Sequence, residues 1–142
     1  MNELRQRAIR LLARREHTRA ELARKLAAHG TPDEIELVLN ELAISGLQSD
    51  ARFAESYLRS QAGRLGAARL RQTLRTKGVG AEVIEAHVID LPDELNRSRE
   101  VWQKKFALPP TDAREWAKQA RFLQGRGFSV EIIRKLLKEI EV

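Results

Sequence analysis

A glycine that recurs at nearly constant spacing constrains the fold of this chain more than any other feature of its sequence. Gly30, Gly78 and Gly127 are 48 and 49 residues apart. Each follows a leucine by four residues, and these leucines are Leu26, Leu74 and Leu123. Each also precedes an isoleucine, and these isoleucines are Ile35, Ile84 and Ile133. Matching residues on both sides of three glycines indicate three tandem copies of one structural unit.

The apolar residues around each glycine predict two amphipathic helices joined by a turn. An aliphatic residue follows each isoleucine by four positions, at Leu39, Val88 and Leu137. Leu22 and Leu70 precede their glycines by eight residues, and the third copy has Gln119 at that place. This four-residue spacing puts side chains on one face of a helix. The glycines stand where a helix commonly ends in the left-handed conformation. The first copy is one residue shorter between glycine and isoleucine.

A further amphipathic segment precedes each pair, so every copy is predicted to hold three helices. Three helix starts carry the capping-box pattern, and these are Thr18–Glu21, Thr31–Glu34 and Asp112–Glu115. The nine predicted helices cover roughly residues 3–16, 19–29, 32–45, 50–62, 67–77, 81–90, 93–106, 113–125 and 130–141.

The predicted fold is therefore all-α, with three tandem three-helix repeats. The predicted division is into repeats at residues 1–48, 49–92 and 93–142. A unit of this size buries only a thin core and leans on its neighbour. We therefore expect the repeats to form an elongated, curved array.

The inventory of reactive side chains argues against an enzyme. The chain has no cysteine, which excludes disulfides, thiol catalysis and thiolate metal sites. Its histidines are His17 and His29, near predicted helix ends, and His87, which we interpret as packed or half-exposed. No paired-histidine, phosphate-loop or nucleophile-elbow motif occurs. We expect no catalytic residue, no metal and no cofactor. No stretch has the length of a signal peptide's apolar core or of a membrane span, so the expected compartment is the cytoplasm.

Charge is distributed unevenly along the chain. The net charge of +6 favours an anionic partner such as nucleic acid or an acidic protein. The segments 4–15 and 56–81 contain basic residues and no acidic one, whereas the segment 31–50 contains acidic residues and no lysine or arginine. Arg64, Arg71 and Arg75 recur at intervals of seven and four residues, so they could form one stripe.

Two interpretations of this stripe stay open on the sequence alone. The other two repeats have alanine or glutamine at the places of Arg71 and Arg75, so the repeat architecture does not require the stripe. It could be a solvated helix face, or it could face a ligand. A ligand could offer phosphates, or it could offer the carboxylates of an acidic protein.

The aromatic residues sit at the spacing of an apolar helix face. We interpret them as core residues rather than platforms for stacking bases. They are Phe53, Tyr57, Trp102, Phe106, Trp116, Phe122 and Phe128.

Several runs resemble the family of the bacterial regulatory protein RecX, in order and over nearly the whole chain. The runs lie at Ala8–Leu22, Asp50–Tyr57, Arg69–Gly78, Lys104–Phe106 and Lys118–Phe128. The chain departs from the family at some turns. Arg64–Ala67 stands where the family usually has Gly-x-Gly-Pro, and Ala107 stands where it usually has glycine. These departures affect the local geometry of loops.

The resemblance implies a modulator of the recombinase RecA. Such a protein would dock in the groove of the RecA–single-stranded DNA filament as a monomer and suppress its ATPase, strand-exchange and co-protease functions. Two other hypotheses remain, a helix-turn-helix protein acting on free DNA and a plain helical scaffold. The residues predicted to contact the filament or its DNA are Arg59, Arg64, Arg69, Arg71, Arg75, Lys77, Lys104, Lys105, Lys118, Arg121 and Arg126.

Overall fold

The computed structural model describes residues 2–141, and all regular structure in that range is α-helical. The helices there are α1 Asn2–Arg14, α2 Arg19–Leu26, α3 Pro32–Ile44, α4 Asp50–Gln61, α5 Ala67–Thr76, α6 Ala81–Val88, α7 Glu94–Lys105, α8 Ala113–Gly125 and α9 Val130–Glu139. Each corresponds to a predicted helix, so the all-α prediction is confirmed. Within residues 2–141, no helix combines the length and the apolar character needed to cross a bilayer.

Capping side chains fix where several helices begin. Thr18 and Thr31 form the predicted reciprocal boxes with the glutamate three residues later. Asp112 also caps its helix, accepting the backbone N–H of Glu115, but the Glu115 carboxylate accepts from Gln119 Nε2 at 3.2 Å. Each capping side chain accepts a hydrogen bond from a backbone N–H that has no partner inside the helix.

The turn glycines divide into two kinds. Gly78 and Gly127 have φ angles of +93° and +96°, as predicted. The prediction of a left-handed Gly30 is wrong, because its φ lies outside that region. Helix α2 ends at Leu26 and a further turn precedes Gly30, so Gly30 does not close the helix. Glycine is favoured there because the backbone packs closely against Leu4, and a Cβ atom would lie 3.0 Å from Leu4 Cδ2.

The chain folds as two compact units. The first unit takes in the described residues up to Tyr57 together with Leu74–His87. Helices α1, α2 and α3 pack on one another in this unit. Their core consists of Leu4, Ala8, Leu22, Leu26, Ile35, Val38, Leu39 and Leu42.

The second unit takes in Leu58–Thr73 and the described residues from Val88 onward. Helices α7, α8 and α9 pack around a core of Val101, Trp102, Leu123, Phe128, Ile133, Leu136 and Leu137. The middle repeat contributes residues to both units, and the boundaries 1–48, 49–92 and 93–142 stay a prediction.

The exceptional Gln119 of the third repeat has a structural reason. Its side chain is buried, accepting the indole N–H of Trp102 at 2.7 Å and donating to the Leu108 carbonyl at 3.1 Å. A leucine at this place, as in the other two repeats, would leave the buried indole N–H without that partner.

The core interpretation of the aromatic residues is confirmed for Phe53, Trp102 and Phe128, which are buried. It is wrong for Trp116, whose side chain is 38% exposed. The buried residues of α8 begin only at Gln119, so the first turn of α8 extends beyond the core. The remaining three, Tyr57, Phe106 and Phe122, are half-buried.

Candidate functional site

Four of the predicted contact residues come together in the second unit. They surround a cavity of about 170 Å³ whose other lining residues are Gly63, Val101 and Phe122. We call these four side chains the cationic cradle, and they are Arg64, Lys104, Lys105 and Arg126. Three segments therefore form this site, namely the α4–α5 turn from the middle repeat and the ends of α7 and α8 from the third repeat.

The ends of two helices deliver three of the four charges. Lys104 and Lys105 occupy the last turn of α7, and Arg126 is the C-cap residue of α8. A helix C-terminus carries partial negative charge on its free carbonyls, so cations are favoured there. This local effect stabilises the three side chains without adding a carboxylate to the site.

The ring of Phe122 holds two of these cations in place. Lys105 Nζ lies 5.4 Å from the ring centroid, and Arg126 Cζ lies 5.2 Å from it. Phe106 meets the same ring edge-on, with centroids 5.4 Å apart and an interplanar angle of 89°. Cation–π attraction positions a charge but leaves it uncompensated, because the ring carries no net charge.

A buried arginine holds the turn that carries Arg64. Arg97 is only 5% exposed, and its Nη1 donates to the carbonyls of Ala62 at 3.0 Å and Leu65 at 2.7 Å. Its Nε donates to the carbonyl of Pro92 at 3.2 Å. Burial lowers the pKa of Arg97, against the opposing effect of nearby acidic side chains. No sequence pattern marked Arg97, because an arginine between Asn96 and a serine looks like any surface cation.

Two glycines allow this turn to approach the α8–α9 turn. A Cβ atom on Gly66 would lie 2.3 Å from the carbonyl carbon of Gly127, and one on Gly127 would lie 2.4 Å from Arg69 Cβ. The Gly66 N–H donates to the Arg126 carbonyl at 2.7 Å. Arg69 Nη1 donates to the Gly125 carbonyl at 2.7 Å, so this predicted contact residue also ties the two turns together.

The cradle has no internal counter-charge. Among the described residues, none of its four side chains forms an ion pair with a carboxylate. Within residues 2–141, the one polar side chain that contacts them is Gln61, whose Oε1 lies 3.5 Å from Arg64 Nη1. A group of positive charges held without an acid is an arrangement that attracts an anion.

The other predicted residues lie outside this cavity. Arg59 and Arg75 are exposed on α4 and α5, Arg71 is half-buried on α5, and Lys118 and Arg121 are exposed on α8. The stripe prediction needs one correction. Arg64 precedes α5 in the turn, so only Arg71 and Arg75 are related by one helical turn on that helix.

Lys77 belongs to a different charged group, in the first unit. Its Nζ lies 3.5 Å from Oε2 of the buried Glu21, and Arg15 Nη2 lies 3.3 Å from the same oxygen. Thr18 Oγ1 also donates to the Lys77 carbonyl at 2.6 Å. We call Arg15, Glu21 and Lys77 the Glu21 cluster. Burial alone would raise the pKa of Glu21, but the Thr18 N–H and the two cations hold it below its usual range.

His17 adjoins this cluster and is buried. Its Nδ1 lies 3.0 Å from the Arg15 carbonyl and therefore donates, which leaves Nε2 to accept from Lys25 Nζ at 3.0 Å. Burial lowers the pKa of His17, and the charges of Arg15 and Lys25 lower it further.

The other two histidines lie outside this cluster. His87 is half-buried as predicted, and His29 is exposed. The described residues contain no group of three side chains that could hold a metal ion.

The RecX family is described by three consecutive three-helix domain models, and all three match this chain in order. The first matches residues 5–42, the second residues 49–87 and the third residues 93–137. The chain belongs to the RecX family. The matches follow the order of the three glycine-centred repeats, so the repeat prediction and the resemblance to RecX are confirmed.

Individual relatives agree with this assignment. Regulatory protein RecX of Leptothrix cholodnii is 49% identical over 137 residues, covering 95% of this chain and 87% of the relative. Regulatory protein RecX of Chromobacterium violaceum is 44% identical over 135 residues, covering 94% and 88%. The crystal structure of RecX from Lactobacillus salivarius has a TM-score of 0.85 at 24% identity, covering 98% of this chain and 95% of that chain. That structural likeness concerns the fold alone.

Proposed function

We propose that this chain binds the filament that RecA forms on single-stranded DNA and lowers the filament's ATPase, recombinase and co-protease activities. It acts by binding alone, without a catalytic group or a cofactor. The observation that carries the proposal is the ordered match of all three RecX domains between residues 5 and 137.

The charge distribution supports a partner made of nucleic acid and protein. A net charge of +6 increases the rate of encounter with a polyanion. The cationic cradle supplies one anion-attracting surface. The further contact residues that we propose are Arg59, Arg69, Arg71, Arg75, Lys118 and Arg121, with Lys77 in a secondary role because it already pairs with Glu21.

The repeated architecture also suits a filament. Three copies of one unit in a single chain can contact more than one subunit of a partner that is itself repetitive. Once one unit is bound, the next binds at a high effective concentration, so modest individual contacts add up to firm attachment.

A second candidate is a helix-turn-helix protein that acts on free DNA, and the glycine turns between paired helices favour it. In that motif the start of the second helix enters the major groove. Here the corresponding helices α3, α6 and α9 carry acidic residues in their first turns, namely Asp33, Glu34, Glu82 and Glu131. Carboxylates at those places would repel phosphates, so the filament is the better-supported partner.

The two candidates are separated by one capture experiment. Purified protein is offered to single-stranded DNA coated with RecA and, in parallel, to the bare strand at the same salt concentration. Filament binding predicts stronger retention on the coated strand and a lower rate of ATP hydrolysis by RecA. Equal retention on both strands with unchanged hydrolysis would favour the free-DNA candidate.

A further inference from the structure

The cationic cradle is held together by parts that leave its charge uncompensated. Phe122 attracts two of the cations without neutralising them, and Arg97 holds the Arg64 turn through backbone carbonyls. Four like charges around a small cavity repel one another, although water screens the repulsion because Arg64, Lys104 and Lys105 are exposed. An anion bound there would remove that repulsion.

We propose that the cradle binds the phosphodiester backbone of single-stranded nucleic acid directly. The inference rests on the function proposed above, and it specifies which component of the filament this surface contacts. Phosphate is the anion that both cradle side-chain types recognise well, since lysine acts as a compact charge and arginine can donate two parallel hydrogen bonds.

The uncharged lining favours a nucleic-acid strand over an acidic protein segment. Val101 and Phe122 form an apolar floor beside the charges, and Gly63 offers no side chain to keep a ligand away. A sugar or an unstacked base can cover apolar surface next to its own phosphate, which a row of carboxylates cannot do. Bases are free to do this in a single strand, whereas in a duplex they stay stacked and paired.

The same lining predicts indifference to base sequence. Its side chains are those of Arg64, Val101, Lys104, Lys105, Phe122 and Arg126, and none of them can accept a hydrogen bond from a base. Contacts to phosphate fix the position of a strand but carry no sequence information by themselves. The cradle should therefore bind oligonucleotides of different sequence with similar affinity and with a strong dependence on salt.

The test compares two double variants that remove the same charge from the second unit. The cradle variant, Lys104→Gln/Lys105→Gln, removes two of the four cradle cations. The control variant, Arg134→Gln/Lys138→Gln, removes two exposed cations from α9. Binding of a fluorescent oligothymidylate is measured by anisotropy over a range of salt concentrations. RecA ATPase is measured separately with the same proteins, and circular dichroism confirms that each variant is folded.

We expect the cradle variant to bind the oligonucleotide about tenfold more weakly at low salt, with a salt slope shallower by about 1.4 for two lost phosphate contacts. The α9 variant should stay close to wild type. Equal losses in both variants would overturn the cradle as a site. So would a cradle variant that binds the oligonucleotide normally but no longer inhibits RecA, because the surface would then contact protein. The wild-type protein gives a separate test of the proposed function. If it binds the oligonucleotide through the cradle but leaves the RecA ATPase rate unchanged, the cradle is supported and the proposed function is refuted.

Discussion

The Glu21 cluster and the cationic cradle both gather positive charges, but they hold them in opposite ways. In the cluster, one carboxylate oxygen lies within 3.5 Å of both Arg15 and Lys77, so the group that holds the two cations also offsets part of their charge. In the cradle, the ring of Phe122 holds Lys105 and Arg126 and leaves their charge unchanged. The cluster therefore contains a carboxylate of its own, whereas in the described part of the chain none of the cradle's four side chains pairs with one.

This difference distinguishes cations that pair with a carboxylate from cations that do not, and position in the sequence does not reveal it. Lys77 and Arg64 both belong to the acid-free segment 56–81. Only the fold shows that Lys77 pairs with a carboxylate from a distant helix, whereas Arg64 lines a cavity together with three other cations.

The largest effect is expected from Gly127→Ala, which disrupts the close approach of the two turns that form the cradle. Alanine at φ +96° is strained, and its Cβ would lie 2.4 Å from Arg69 Cβ. We expect the free energy of unfolding to fall by about 4 kcal/mol, from left-handed strain and overpacking together. Urea denaturation measures it. Gly125→Ala is the matched control, because a Cβ there meets open space within α8 and should be neutral or slightly stabilising.

Arg97→Met should be the next most damaging change. The variant keeps an apolar stem but leaves the carbonyls of Ala62, Leu65 and Pro92 without their donor. We expect a loss of about 3 kcal/mol in urea denaturation. Arg99→Met provides the comparison, since Arg99 forms a partly exposed ion pair with Glu139 and should contribute less than about 1 kcal/mol. Similar losses for the two variants would mean that the buried hydrogen bonds of Arg97 contribute no more than an exposed ion pair does.

Glu21→Gln should affect the cluster by a smaller amount, about 1 to 2 kcal/mol. Glutamine can still accept the Thr18 N–H, but it forms no ion pair with Arg15 or Lys77. Glu34→Gln is a close control, because Glu34 occupies the same place in the second capping box. The difference between the two variants, followed by thermal unfolding, measures what the ion pairs contribute beyond the cost of burying the Glu21 carboxylate. A difference of zero would show that the cluster does not depend on its acid.

The smallest effect is a dependence of stability on pH in the first unit. Burial lowers the pKa of His17 in the folded state, so the unfolded chain takes up a proton first. Stability should therefore be full above pH of about 6.5 and should decrease as the pH falls from there through the lowered pKa. The pKa of Glu21 is also lowered, so a second loss should begin below about 4.3. In His17→Gln the first step should disappear from a series of urea titrations and the second should remain.

Local features of this fold could be predicted from the sequence, and contacts between distant segments could not. The capping boxes at Thr18 and Thr31 and the left-handed Gly78 depend on neighbouring residues, and the sequence pattern located them. Gly30 carries the same pattern but adopts an ordinary φ, because α2 ends early and a further turn intervenes. The length of that turn is set by packing in three dimensions.

The cradle shows the same limit at the level of the site. Its four cations were all among the predicted contact residues, because an excess of basic residues is visible in the sequence. Their meeting depends on the approach of Gly66 to Gly127, two glycines that come from different repeats. Nothing in the spacing of either residue indicates that approach. Arg97 was missed for a related reason, since its partners are backbone carbonyls that have no sequence signature.

Both tryptophans of the chain, Trp102 and Trp116, belong to the second unit. Trp102 is buried and donates its indole N–H to Gln119, so its emission should shift to longer wavelength on unfolding. Trp116 is already partly in contact with water and should change less. Tryptophan fluorescence therefore reports on the unit that carries the cradle, while circular dichroism averages the helices of both units. Coincident denaturation curves from the two probes indicate that the chain unfolds in one cooperative step, and separated curves give the stability of the second unit without any label.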